Sequence, residues 1–231
     1  MTDHHSDGAP GVAAELLRSA PPPMARELPG FDAGRAPAAP GRLFVAWLAE
    51  ALDAGAADPQ VMTLSTVDAE GLPDARVLVL RDVDEAGGGW MFAADAASPK
   101  GRQLAGVPAA AMTVYWPAVG RQVRLRGPVE TAPRPVAEAD FASRSPLSRA
   151  ATLVGRQSEP LGSAEQLAAA AEDALHRIEA EPGASAPGHT VYVLRAETAE
   201  FWQGDPERRH VRLRYRRRAD GGGWDRSLLW P

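Results

Sequence analysis

The sequence predicts a mainly β, α+β fold: an antiparallel β-barrel with helices at its periphery. Three observations predict it. Short stretches built on Val, Leu, Tyr and Trp alternate apolar with polar residues. Turns carrying glycine or proline separate these stretches at close intervals. Segments of helical period interrupt the series, and no internal repeat accompanies them.

Residues 1–40 contain Pro21-Pro22-Pro23 and a second proline cluster from Pro37 to Pro40, so they are expected to form a flexible arm with one short helix at Val12–Ser19. Residues 41–231 are expected to form the folded domain. From Arg42 to Ala54, the spacing of Leu43, Phe44, Trp47, Leu48 and Leu52 is helical, and Gly55 ends the helix. Alternation over 61–68 and 75–84 around Gly71-Leu72-Pro73 predicts a hairpin. The triple glycine 87–89 then turns the chain into a strand at 90–94. Ser98-Pro99 is an N-cap followed by proline at the first helical position, predicting a short helix through Leu104. Strands are expected at 110–116 and 121–130, helices at 133–143 and 164–181, and closing strands at 189–197, 209–217 and 223–229.

Composition excludes several function classes. With 231 residues the chain can bury a core, and its formal charge of -5 argues against a dedicated nucleic-acid binder. The absence of cysteine removes disulfides, zinc–thiolate sites, iron–sulfur clusters and cysteine nucleophiles. The five histidines (His4, His5, His176, His189 and His210) form no metal-ligand spacing, so no metal is expected. No apolar run approaches the ~20 residues that span a bilayer. The N-terminus has neither a basic nor an apolar leader segment, so a cytoplasmic location without membrane contact is expected.

Cationic residues mark the candidate site. Arg76 and Arg81 bracket the run Val77-Leu78-Val79-Leu80, and on the strand at 121–130 Gln122, Arg124 and Arg126 share one face while Arg121, Val123 and Leu125 share the other. Guanidinium groups around a barrel pocket suit a dianionic phosphate. Taken alone, such arginines describe a solvated strand face. Lys100, in the first turn of the helix capped by Ser98, adds a cation where free backbone N–H groups already favour an anion.

In order and spacing, LFVAWLAEALDAGAADP (43–59), RVLVLR (76–81), SPKGRQL (98–104), YWPAVGRQVRLRGPVE (115–130), SRSPLSRA with RQSEPL (143–161) and EFWQGDPERRHVRLRYRR (200–217) resemble the pyridoxamine 5′-phosphate oxidase family. The resemblance implies a split antiparallel β-barrel that binds FMN at the interface of a homodimer. It implies that residues 76–81 line the FMN phosphate and ribityl chain and that Lys100 contacts the phosphate. Gln122, Gln157 and Ser158 would hold polar groups of the flavin, partly from the second subunit, with Trp202 and Arg212 flanking its ring. Arg208 and His210 would face the substrate as catalytic residues, and Arg144 and Ser148 would hold a substrate anion. The implied reaction is hydride transfer from substrate to flavin N5, with O2 as reoxidant.

The chain departs from the family pattern mostly on the substrate side. Arg81 stands where a lysine is usual, Pro99 where an arginine is usual, and Asp140 where a tyrosine is usual, so Asp140 is expected to repel a phosphate dianion. The end of the chain, Leu228-Leu229-Trp230-Pro231, and Ala186-Pro187-Gly188 also differ. SPKGR and Arg156-Gln157-Ser158-Glu159 resemble the phenazine-biosynthesis branch, whose oxidases aromatise reduced tricyclic substrates. Four readings follow: an oxidase acting on a secondary-metabolite intermediate, a phenazine-type dihydroaromatic oxidase, a pyridoxal 5′-phosphate-forming oxidase, and a non-catalytic flavin- or haem-binding module.

Overall fold

A computed structural model describes residues 11–181 and 183–231. The first ten residues of the arm, His4 and His5 among them, lie outside the described residues. The elements run α1 (Val12–Ser19), α2 (Pro40–Asp53), β1 (Val61–Val67), β2 (Pro73–Asp84), β3 (Gly89–Asp95), α3 (Pro99–Gly106), β4 (Ala109–Trp116) and β5 (Arg121–Thr131). They continue with α4 (Arg134–Ser143), α5 (Pro146–Val154), α6 (Ala164–Ala180), β6 (His189–Arg195), β7 (Thr198–Gln203), β8 (Val211–Arg217) and β9 (Trp224–Leu229).

The sheet order is β4-β1-β2-β3-β6-β5-β7-β8-β9, and an additional β4–β5 pairing closes the first six strands into an antiparallel barrel. The split arises at β5. Its second half, Val129–Thr131, pairs with β6, while its first half, Arg121–Arg126, pairs with β7 and carries β8 and β9 outward as an extension. Gly127 lies between the two halves, where a Cβ would stand 2.0 Å from the Arg195 carbonyl. Only glycine lets β5 pass so close to the end of β6.

The core follows the alternation of the strands. β1 buries Met62, Leu64 and Thr66, and β5 buries Arg121, Val123 and Leu125. Helix α2 packs Phe44 edge-on to Trp90 at 6.0 Å and Trp47 edge-on to Phe201 at 5.2 Å. Each such aromatic contributes about 2–3 kcal/mol by leaving water. Buried Arg121 lies with its guanidinium 4.4 Å over the Trp47 ring; its Nη1 donates to Glu50 at 2.7 Å and its Nε to Gln203 Oε1 at 2.8 Å. An arginine at the core face of a strand is thus absorbed by α2 and β7, not by a pocket.

Part of the proline-rich N-terminal stretch is laid over this body. Helix α1 buries no residue, whereas Met24 and Ala36 are buried, Phe31 sits edge-on to Trp47 at 5.0 Å and the Tyr215 hydroxyl donates to the Pro37 carbonyl at 2.8 Å. Beside short 3-10 turns at Ala33–Arg35 and Pro117–Val119, one helix and one strand are additional to those the sequence predicts, α5 and β7. The chain from His189 breaks at Ala196–Glu197 and turns back as β7, so the expected strand 189–197 ends early. No helix among the described residues is long and apolar enough to cross a membrane.

Helix α3 starts where Ser98 Oγ accepts from the Gly101 N–H and Pro99 occupies the first turn. Gly101 has no room for a side chain, since a Cβ would stand 2.4 Å from the Ala96 carbonyl and 2.6 Å from that of Asp95. Gly101→Ala is therefore expected to cost about 1–3 kcal/mol in urea unfolding by pushing α3 off the Asp95–Ala96 turn. Gly106→Ala, in the same helix but with open space around it, should leave the midpoint nearly unchanged.

Candidate active site

Strand β2 places the first group of site residues. Arg76 and Leu78 turn inward, while Val77 and Val79 are exposed. Arg76 Nη1 donates to Thr66 Oγ1 at 2.6 Å, its Nη2 donates to Gln103 Oε1 at 3.1 Å, and it pairs with Asp74 at the exposed start of β2. Lys100, from the first turn of α3, is only 9% exposed, yet its Nζ donates to a neutral group, Gln157 Oε1, at 2.7 Å. It makes no ion pair among the described residues. Burial, and then the Arg76 charge, hold the Lys100 ammonium below its ordinary titration range, with Asp95 opposing.

Arg76, Lys100 and Gln157 line a cavity of about 660 Å³, with Val77 and Leu78 from β2 and Arg144, Ser148 and Thr152 from the α4–α5 region. Helix α5 is what brings Arg144 and Ser148 there. Ser145 caps it by accepting from the Ser148 N–H, and Arg144 Nη1 donates to Thr152 Oγ1 at 2.8 Å one turn further on.

An adjoining cavity of about 380 Å³ is lined by Val79, Arg81, Arg144, Ser145 and Ser148. Arg81 is the extra residue of a β-bulge, since Leu80 pairs with Phe92 and Asp82 with Met91. Such a bulge re-aims a side chain. Here the Arg81 Nε donates to Asp140 Oδ1 at 2.7 Å, while His189 Nε2 donates to Asp140 Oδ2 at 2.7 Å. Burial, followed by the opposing charges of Asp140 and Arg81, moves the Arg144 guanidinium below its ordinary range, so Arg144 feels both groups. Leu80 itself belongs to the core.

The second group forms a row across three strands. Gln122 pairs with Trp202, and Trp202 with Arg212, so the three side chains share one face of β5, β7 and β8. Arg212 is held by Glu200 at 2.9 Å and by the Trp230 carbonyl at 2.8 Å. The His210 ring lies 4.8 Å from that of Trp202, and its Nδ1 accepts from the Asp205 N–H at 3.0 Å. With Nδ1 engaged as an acceptor, Nε2 is the ring nitrogen left for other partners. Arg208 is exposed in the same turn with a left-handed φ of 66°. Ser158 is exposed with φ 69° and lines neither cavity.

The structure thus brings Arg76, Lys100, Gln157, Arg144 and Ser148 into one cavity, with Arg81 beside it, and Gln122, Trp202, Arg212 and His210 onto one sheet face. Sequence reasoning missed Thr66 and Gln103, which hold Arg76, and His189, which holds Asp140. The alternation of β1 carried a signal for Thr66, a polar residue at an inward position. No group of three or more potential metal ligands occurs among the described residues.

Residues 48–203 match the family model described as pyridoxamine 5′-phosphate oxidase, and residues 189–231 match that of the pyridoxine 5′-phosphate oxidase C-terminal dimerisation region. The pyridoxine/pyridoxamine 5′-phosphate oxidase of Nitrobacter winogradskyi is 40% identical over 83% of this chain and 89% of its own length. That of Chromohalobacter salexigens is 37% identical over 85% and 90%. Among solved structures, PhzG from Burkholderia lata, in complex with tetrahydrophenazine-1-carboxylic acid, superposes with a TM-score of 0.79 at 27% identity over 88% of this chain and 99% of that one. A match of this extent, on a closed six-stranded barrel with the cationic cavity between β2 and α3, shows that the chain belongs to the pyridoxamine 5′-phosphate oxidase family and is an oxidoreductase.

Proposed function

We propose that the chain is an FMN-dependent oxidase acting on a small-molecule substrate, working as a homodimer whose two site groups meet across the subunit interface. The observation that carries the cofactor is Lys100. A buried ammonium bonded only to a neutral amide, beside Arg76 in a cavity of about 660 Å³, is a donor set matched to a phosphate dianion. In this reading Arg76 and Lys100 hold the FMN phosphate, and Val77 to Leu80 and Arg81 run along its chain. Gln122, Gln157 and Ser158 bond the polar edge of the flavin, and Trp202 and Arg212 flank its ring. The match of residues 189–231 to a dimerisation region supports completing the site with a second copy.

FMN, when bound, would supply the hydride acceptor, with O2 as the terminal oxidant. The chain's own residues do the positioning. Arg144 and Ser148 hold an anionic group of the substrate, while Arg208 and His210 orient the reacting carbon. His210, whose Nδ1 accepts from the Asp205 N–H, presents Nε2 toward substrate and can pass a proton there. The rewritten substrate side, and the ligand of the Burkholderia structure, favour a secondary-metabolite intermediate, such as a reduced tricyclic carboxylic acid, over a vitamin B6 phosphate.

The visible spectrum tests this first. The purified protein is expected to be yellow or to turn yellow with added FMN, and to release FMN on denaturation. It should consume O2 with a dihydroaromatic acid faster than with pyridoxine 5′-phosphate. A colourless protein that takes up no FMN would sink the reading. Bound flavin without oxygen-dependent turnover of any reductant would instead favour a non-catalytic binding module.

A further inference from the structure

The cavity lined by Arg81 and Arg144 has a charge balance that its two arginines alone do not suggest. Asp140, from α4, lies against Arg81 with a side chain only 12% exposed, and both its oxygens are taken, by Arg81 Nε and by His189 Nε2 at 2.7 Å each. It cannot swing into solvent without leaving His189, 4% exposed, beside an unpaired Arg81. The bulge at Arg81 aims the guanidinium at this carboxylate, so the pairing is built into the backbone register. The two guanidinium groups and the one carboxylate together leave a single positive charge facing the cavity. Lys100, in the neighbouring cavity, has no such partner.

We propose that Asp140 is the specificity-determining residue of this cavity: it cancels one arginine charge, so that the site accepts a substrate group bearing a single negative charge, a carboxylate, in preference to a phosphate dianion. The inference rests on the reading of this chain as an FMN oxidase and names the substrate class of that same site. Repulsion alone would not produce the preference, since an unpaired aspartate would reject carboxylates too. What the clamp does is hold Asp140 on Arg81 and leave Arg144, with the hydroxyls of Ser145 and Ser148, to meet one carboxylate. A dianion would bring a second charge for which no free cation remains among the described residues that line the cavity, beside a fixed anion whose side chain is only 12% exposed.

The test uses two probes that share a phenyl ring and differ in the charge of the group it carries, benzoate and phenyl phosphate, titrated by calorimetry into the FMN-loaded protein at pH 8. The native protein should bind benzoate at least as tightly as phenyl phosphate. Asp140→Asn, nearly the same shape without the charge, should move the preference toward phenyl phosphate by on the order of tenfold. His189→Gln, which keeps Asp140 charged, should leave the preference with benzoate. Arg81→Gln should weaken both probes, phenyl phosphate more, and serves if Asp140→Asn does not fold. An unchanged preference in Asp140→Asn, or in Arg81→Gln if that is the variant that folds, overturns the proposal, as does tenfold tighter phenyl phosphate binding by the native protein. Binding of neither probe also overturns it. Failure to load FMN would strike the functional reading instead, and the probe ratio remains measurable by the same titration of the flavin-free protein.

Discussion

Removing both cations of the cradle, by Arg76→Ala together with Lys100→Ala, is expected to weaken FMN binding at least a hundredfold in a flavin-fluorescence titration. Charge-assisted hydrogen bonds contribute about 1.5–3 kcal/mol each, so losing two removes about 3–6 kcal/mol. The two residues should not behave alike. Arg76 also holds Thr66 and Gln103, so Arg76→Ala leaves those polar groups short of a partner and costs stability as well as affinity. Arg76→Lys separates the two effects, since it keeps the charge but not the fork.

Lys100 carries the opposite sign. Its folded-state titration lies below the ordinary lysine range, so the unfolded chain binds the proton more tightly. Its burial therefore costs stability wherever the folded ammonium is charged, and the cost fades as pH rises through the lowered value toward 10.5. Lys100→Met is thus expected to leave the flavin-free protein as stable as the native one or more so, while losing FMN affinity more than tenfold. Unchanged affinity in the double variant would show that the phosphate sits elsewhere.

The barrel was legible because the strands alternate and their turns carry glycine and proline. What stayed hidden had physical reasons. Strand β7 buries Ala199, Phe201 and Gln203, so its inward face joins a small, a large and a polar residue, and the adjacent Phe201–Trp202 pair masks a period of two. Helix α5 has the same serine–proline start as α3, and Leu147, Ala150, Ala151 and Val154 recur at helical spacing, but the stripe spans only two turns and half of it is alanine, too short to stand out from a loop. At the site, Arg76 and Lys100 could be placed together because a strand and a capped helix N-terminus each have a direction. Asp140 could not. The sequence marks it as a departure that should repel an anion, but whether a carboxylate repels depends on what neutralises it. Its partners come from a bulge 59 residues before it and from a strand start 49 residues after. Long-range partners of that kind leave no local pattern.

The largest effect on stability is expected at Arg121. Its side chain is 2% exposed and charged, and three groups from two elements meet on it: Glu50 and the ring of Trp47 from α2, and Gln203 of β7. Burial pulls its titration down from the ordinary arginine value, and Glu50 opposes that shift, so the pair is retained as an ion pair. Arg121→Ala leaves a void beneath Trp47 and strips buried Gln203 Oε1 of its donor, an expected loss of about 3–5 kcal/mol in urea unfolding. Glu50 is half-exposed and relaxes into water, so it adds little to that loss. The damage should reach the sheet face of the site, because Gln203 Nε2 donates to the Val119 carbonyl at 3.1 Å and so ties the turn before β5 to the end of β7, next to Trp202. Arg121→Met keeps the contact with Trp47 but not the bond to Gln203, and should cost less than half as much. Arg121→Met combined with Gln203→Leu should then cost less than the sum of the two single changes, since neither leaves the other a partner to lose. Strict additivity, or a loss below about 1 kcal/mol for Arg121→Ala, would mean that α2 is held to the barrel by its aromatic side chains alone.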